Sequence, residues 1–174
     1  MPLELNARVP ELRLPDTDGK ETGLDEPAQA SVVVFTCNHC PYALAWHDRI
    51  NDVARDYASR GVRVLQVNSN DAARYPHDNL DAMRARVAAG EFAGPYLHDD
   101  AQQAAREWGA AVTPDVFVVD AEGVLRYHGA PDADHSDESL RAEWLREALD
   151  DVLAGRDVAR PQTQPKGCSI KWLG

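Results

Sequence analysis

The hydrophobic pattern changes period several times along the chain, and glycine or proline marks most of the changes. Residues 7–25 carry scattered apolar positions (Val9, Leu12, Leu14) around the turn-forming pair Asp18-Gly19, and read as two short strands. Ser31 to Thr36 contains an unbroken Val-Val-Val-Phe run, as expected of a strand covered on both faces. Pro41 then suits the first turn of a helix. Leu44, His47, Ile50, Val53, Ala54 and Tyr57 recur at three- and four-residue steps, so the helix runs to about Arg60, with Gly61 as its cap.

Val62 to Val67 reads as a second apolar strand, ending in the polar run Asn68-Ser69-Asn70-Asp71. Asp78 or Asn79 is placed to cap a helix reaching about Ala89, and Gly90 to Pro95 interrupts it. Tyr96-Leu97-His98 is a short strand, and Asp99-Asp100 opens a helix that Gly109 closes. Val116 to Val119 and Val124 to Tyr127 flank Glu122-Gly123 as a hairpin. The acidic stretch from Pro131 to Asp137 reads as a solvated loop, followed by a helix from Glu138 to Ala154 with Leu140, Trp144, Leu145 and Leu149 on its apolar face. Residues 156–174 show no helical or strand period. Parallel strands joined by helices, then a hairpin and a closing helix, predict a three-layer α/β sandwich. Residues 1–155 form the expected domain, with the tail 156–174 packed on it. In such sheets ligands bind at the carboxyl ends of the strands, which puts Cys37 and Asn68-Ser69-Asn70 on one rim.

Composition narrows the function. A length of 174 residues suits one domain. The net charge of −11 weighs against nucleic acid and anionic membranes as partners. The stretch beginning Met1-Pro2-Leu3 lacks the basic and apolar regions of a targeting peptide, and no run reaches the roughly 18 apolar residues of a membrane span. A cytoplasmic location is expected. In that reducing setting a close cysteine pair is catalytic or metal-binding rather than a structural disulfide.

That pair is Cys37-Asn38-His39-Cys40, delivered by a strand to the start of a helix. Free N–H groups at a helix N-terminus stabilise a thiolate, the nucleophile of disulfide exchange. Cys37 is then the exposed attacking thiol and Cys40 the inner, resolving one. His39, partly protonated, favours the Cys37 thiolate. Two other readings stand: a metal site, for which one pair supplies two of the four ligands that structural zinc needs, and an inert buried pair. No metal and no cofactor are expected. Thr113-Pro114-Asp115 precedes a buried strand, and a cis bond there would offer a backbone edge to a partner peptide, where a trans bond would be an ordinary strand start. Cys168, in Gly167-Cys168-Ser169-Ile170-Lys171-Trp172, is either a third exchanging thiol or a small buried hydrophobe. Tyr75-Pro76-His77-Asp78 and His128 are lesser rim candidates, and His47 a partly buried helix residue.

Taken together, these motifs resemble the thioredoxin superfamily, and within it the peroxiredoxin-like redoxin (alkyl hydroperoxide reductase/thiol-specific antioxidant) group. Phe35-Thr36-Cys37-Asn38-His39-Cys40-Pro41-Tyr42, Asn68-Ser69-Asn70-Asp71, Thr113-Pro114-Asp115 and the Gly167 to Trp172 segment carry the likeness, and Pro10 to Lys20 resembles that group's N-terminal hairpin. The resemblance implies a thioredoxin-like α/β/α sandwich with a mixed central sheet and an N-terminal β-hairpin extension. It implies Cys37 and Cys40 as attacking and resolving thiols, Pro114 as a cis-proline facing them, and Asn38, His39 and Thr113 as tuning or substrate-facing neighbours. The implied partner is a protein or small-molecule disulfide or thiol, with a thioredoxin-type reductant. Three positions depart from related patterns. The Pro-x-x-x-Thr-x-x-Cys loop of peroxidases is missing, Val112 stands where the subgroup has a further cysteine, and Ser31 replaces thioredoxin's buried acid. Thiol–disulfide exchange is therefore the expected activity. A thiol-dependent peroxidase with Cys37 as peroxidatic cysteine, and a metal-binding or redox-silent interaction module, are the alternatives.

Overall fold

The computed structural model describes residues 3–174. Met1 and Pro2, which begin both the expected domain and the stretch read for a targeting signal, lie outside the described residues. Strands β1 (Arg13–Pro15) and β2 (Glu21–Gly23) form an antiparallel hairpin. Its turn is closed by the Asp16 carboxylate, which accepts from the Asp18 and Lys20 N–H groups, with Gly19 at φ +81°. Then follow β3 (Ala30–Thr36), α1 (Pro41–Ala58), β4 (Val62–Asn68), a single 3-10 turn (Pro76–Asp78), α2 (Leu80–Ala88), β5 (Tyr96–His98), α3 (Gln103–Trp108), β6 (Val112–Thr113), β7 (Asp115–Asp120), β8 (Leu125–Gly129), α4 (Glu143–Leu153) and β9 (Cys168–Ser169).

The main sheet runs β5-β4-β3-β7-β8. β3, β4 and β5 are parallel, and β7 and β8 are antiparallel additions, so the sheet is mixed. β3 lies at its centre with all seven residues buried, as its continuous apolar run requires. One face packs Val32 and Val34 against Trp46, Ile50 and Val53 of α1 and Leu145 and Leu149 of α4. The other packs Val33 and Phe35 against Trp108 of α3 and Leu12 of the N-terminal segment. Register fixes the rim. Thr36 lies opposite Asn68, and Phe35 opposite Asp115, so Cys37, the Asn68 loop and the Thr113-Pro114 peptide leave the sheet together.

Four local expectations change. Leu44 is 47% exposed; the inward face of α1 keeps the expected His47, Ile50, Val53 and Tyr57 and adds Ala43 and Trp46. Helix α4 starts at Glu143 rather than Glu138, because Ala142 takes a left-handed φ of +61° and its N–H is captured by Asp132. The acidic loop is not simply solvated. Asp132 is 2% exposed and accepts from the Trp46 indole and, through both oxygens, from the Arg49 guanidinium. The tail is not without strand: β9 pairs antiparallel with β6, Cys168 opposite Thr113.

Candidate active site

Cys37 follows the last residue of β3, and Cys40 is the N-cap of α1 with Pro41 after it. Four residues, Cys37 to Cys40, thus carry the chain from sheet to helix, and it is Cys40, not Cys37, that stands at the helix N-cap. The Ala43 N–H and the thiols of Cys37 and Cys168 favour the Cys40 thiolate. Cys40 in its thiol form donates to the Thr113 carbonyl at 3.3 Å, and Cys37 Sγ lies 3.4 Å from Thr113 Oγ1. The Thr113-Pro114 bond is cis, as the resemblance implied. All three cysteines are free thiols.

The two thiols sit in one buried cluster, and their ionisation is linked. The first charge falls on Cys40, which the bond from Cys37 pushes down to about 4 against the opposing effect of burial. Cys37 is raised, first because it donates that bond and second because it is desolvated, while Thr113 Oγ1 and the His39 N–H favour its thiolate. The expected exposed nucleophile is not exposed: Cys37 is 1% and Cys40 0% accessible. Passing the Cys37 proton to Cys40 would move the charge to Cys37, where those two donors receive it.

Asp78, which the sequence offers as a helix cap or a lesser rim candidate, is the group that organises this rim. Asn79 is the actual cap, accepting from Ala82 N–H. Asp78 is fully buried and accepts from the Asn38 N–H (2.7 Å), Asn68 Nδ2 (3.0 Å) and Asn70 Nδ2 (3.1 Å). Its second oxygen lies 2.6 Å from His39 Nδ1, so His39 faces a carboxylate and not the sulfur alone. Tyr75 stacks parallel on His39. Asn38 is occupied by structure: Nδ2 donates to the His77 carbonyl, and Oδ1 accepts from Arg86 and the Tyr96 hydroxyl. Its side chain holds the turn. Burial keeps Tyr96 protonated as that donor. His128 pairs with buried Asp115 at 2.6 Å, and His47 meets the Glu91 carbonyl, so neither belongs to the thiol cluster. An aspartate 40 residues from the Asn38 whose N–H it accepts leaves no spacing signal; only its place on the strand-end rim hints at it.

Ligand atoms of Cys37, His39 and Asp78 all lie within 4.8 Å of one another, the set through which a metal would have to bind. Three donors of thiolate, imidazole and carboxylate type fall one short of the four of a closed structural zinc site. No helix among the described residues is long and apolar enough to cross a membrane.

Strand–turn–helix with paired thiols, facing a cis-proline loop on a mixed sheet, defines a thioredoxin-like redox fold. The chain belongs to the AhpC/TSA family, which residues 5–128 match. Over 125 residues it is 29% identical to the thiol:disulfide interchange protein DsbE of Allochromatium vinosum, covering 68% of this chain and 62% of that one. It therefore spans less than two thirds of that curated relative. The crystal structure of a hypothetical protein from Sinorhizobium meliloti 1021 is 37% identical and superposes with a TM-score of 0.93, covering 100% of this chain and 97% of the other. A protein from Chlorobium tepidum described as a thiol:disulfide interchange protein DsbE shares the fold at 19% identity, with a TM-score of 0.69 over 87% of this chain and 99% of its own.

Proposed function

We propose that the protein is a thiol–disulfide oxidoreductase in which Cys37 and Cys40 are the exchanging pair. The observation that carries this is the placement of both sulfurs on Thr113, Cys37 Sγ 3.4 Å from its Oγ1 and Cys40 donating to its carbonyl, with Cys40 at the helix N-terminus. In the reducing direction the Cys37 thiolate attacks a substrate disulfide, forming a mixed disulfide and expelling one substrate thiolate. The Cys40 thiolate then attacks the Cys37 sulfur, expels the second substrate thiolate and leaves a Cys37–Cys40 disulfide. Two electrons pass from the dithiol to the substrate, and the oxidising direction is the reverse. Asp78 and His39, 2.6 Å apart beside Cys37, act as positioning residues. The relative's description as a thiol:disulfide interchange protein supports the same chemistry. Insulin reduction by the full chain should be lost in Cys37→Ser, and unchanged activity would sink the assignment.

The 1% accessibility of Cys37 favours a second reading, a thiol peroxidase acting on a small peroxide. Its mark is a sulfenic acid on Cys37 in Cys40→Ser, trapped by dimedone under hydrogen peroxide. Rapid disulfide exchange by the full chain without that adduct removes it.

A further inference from the structure

The backbone edge that Thr113 presents beside the thiols is occupied by this chain's own tail. β9 pairs with β6 in the register Thr113 opposite Cys168, and Ile170 N–H continues the contact to the Ala111 carbonyl. Gly167 lies against the Thr113 carbonyl so closely that a Cβ would collide with it. Beyond Cys168 the segment is held from two further directions. Lys171 N–H donates to Asn70 Oδ1, and the Lys171 carbonyl accepts from Asp71 N–H and from Gln102 Nε2. A cysteine is therefore presented on an extended segment to the buried thiol pair, opposite the Thr113 whose carbonyl accepts from Cys40. Cys168 packs against the cluster of Cys37, Cys40 and Ala43 but is the one of the three thiols that keeps some exposure.

We propose that Cys168 is a third exchanging thiol, which takes the disulfide from Cys37–Cys40 and carries it to the surface as Cys40–Cys168. The inference rests on the exchange reading above. The Cys168 thiolate attacks the Cys40 sulfur, the Cys37–Cys40 bond breaks, and Cys37 leaves as a thiolate that Thr113 Oγ1 and the His39 N–H receive. The step moves one disulfide and is redox-neutral. An external thiol such as glutathione then attacks the Cys168 sulfur, releasing the Cys40 thiolate. A second thiol reduces the resulting mixed disulfide.

The surroundings of Cys168 give this step a direction. Burial raises its pKa, and so do the hydrogen bond and the charge of Cys40, to about 11, while Lys171 and the Tyr42 N–H at the start of α1 work the other way. Once Cys40 is in a disulfide it carries no thiolate, and both of its effects vanish. The remaining Lys171 and Tyr42 then favour the Cys168 thiolate. The third thiol is held quiet while the pair is reduced and released when the pair is oxidised.

Trypsin distinguishes the two disulfides. Cys37 and Cys40 share the fragment Glu21–Arg49, whereas Cys168 lies in Gly167–Lys171. The reduced full chain, Cys37→Ser and Cys168→Ser would each be treated with one equivalent of the two-electron oxidant diamide, blocked with N-ethylmaleimide, digested and read by mass spectrometry. The full chain should yield the joined fragments with Cys37 alkylated, alongside the internal loop. Cys37→Ser should yield the joined fragments as its main oxidised product, and Cys168→Ser only the loop. Glutathione should reduce the oxidised full chain about tenfold faster than oxidised Cys168→Ser. If Cys168 stays fully alkylated in the full chain and in Cys37→Ser while Cys168→Ser still closes its loop, the relay is wrong and the exchange reading stands. If Cys168→Ser also fails to close its loop, both fall. Joining through Cys37, or equal reduction rates, likewise overturns the relay.

Discussion

His39 and Asp78 meet at 2.6 Å, Nδ1 to Oδ2, with the carboxylate wholly buried and the imidazole side chain 29% exposed. The pair sets a negative charge beside Cys37 that opposes its ionisation. In a Cys40→Ser/Cys168→Ser background, where Cys37 titrates alone, Asp78→Asn should lower the Cys37 pKa, measured as iodoacetamide alkylation against pH. An unchanged or higher value would remove the Asp78 charge from the site's electrostatics. The same substitution leaves donors of Asn68 or Asn70 without an acceptor and should cost about 1–3 kcal/mol of stability in urea unfolding.

The linked ionisation of the two thiols predicts a pH dependence of folding. The Cys40 thiol is lowered to about 4 in the folded reduced chain, against an ordinary value of about 8.5. A thiol with its pKa depressed by folding contributes its full stability above the unfolded value and loses it as pH falls towards the folded one. Cys37, raised by folding, subtracts stability only above about 8.5, where the unfolded thiol ionises first. Reduced wild-type chain should therefore gain on Cys40→Ser between pH 5 and pH 8. Parallel urea midpoints across that range would contradict it.

Asp132 ties the acidic loop to helix α1. Asp132→Ala would leave the buried Arg49 guanidinium, the Trp46 indole N–H and the Ala142 N–H without their shared acceptor. The expected loss is about 3–5 kcal/mol by chemical unfolding. A loss below about 1 kcal/mol would mean that the loop is held by solvent-screened contacts only.

Gly167→Ala should lift the tail from β6, since a methyl group has no room against the Thr113 carbonyl. Alkylation of Cys40 and Cys168 by N-ethylmaleimide should accelerate by about tenfold or more, with the far-UV spectrum of the sheet and helices unchanged. Equal alkylation rates in the two chains would show that the glycine does not pin the tail.

The parts of this molecule that were legible in sequence are those with a local signature. The run Val32 to Phe35, the two cysteines and Pro41 specify a buried strand, a turn and a helix start without help from the rest of the chain. Asp78 and Asp132 were not legible, because each is an aspartate in a polar turn whose partners come from distant segments: Asn38 and Asn68 for one, Trp46 and Arg49 for the other. Charge and turn propensity alone make such residues look solvated. Strand β9 escaped notice because two residues have no period; its pairing is decided by β6. Leu44 and Trp46 compete for the inner face of α1, and the larger aromatic surface wins.

Gly167 also carries a consequence for how the protein is made. The segment that closes over the thiols leaves the ribosome long after Cys37 and Cys40 have emerged. Since chains begin to fold from their N-terminal side during synthesis, the strand, turn and helix that hold the pair can assemble while it is still roofless. A nascent chain shows its thiols to the surrounding redox pool, and a finished one covers them.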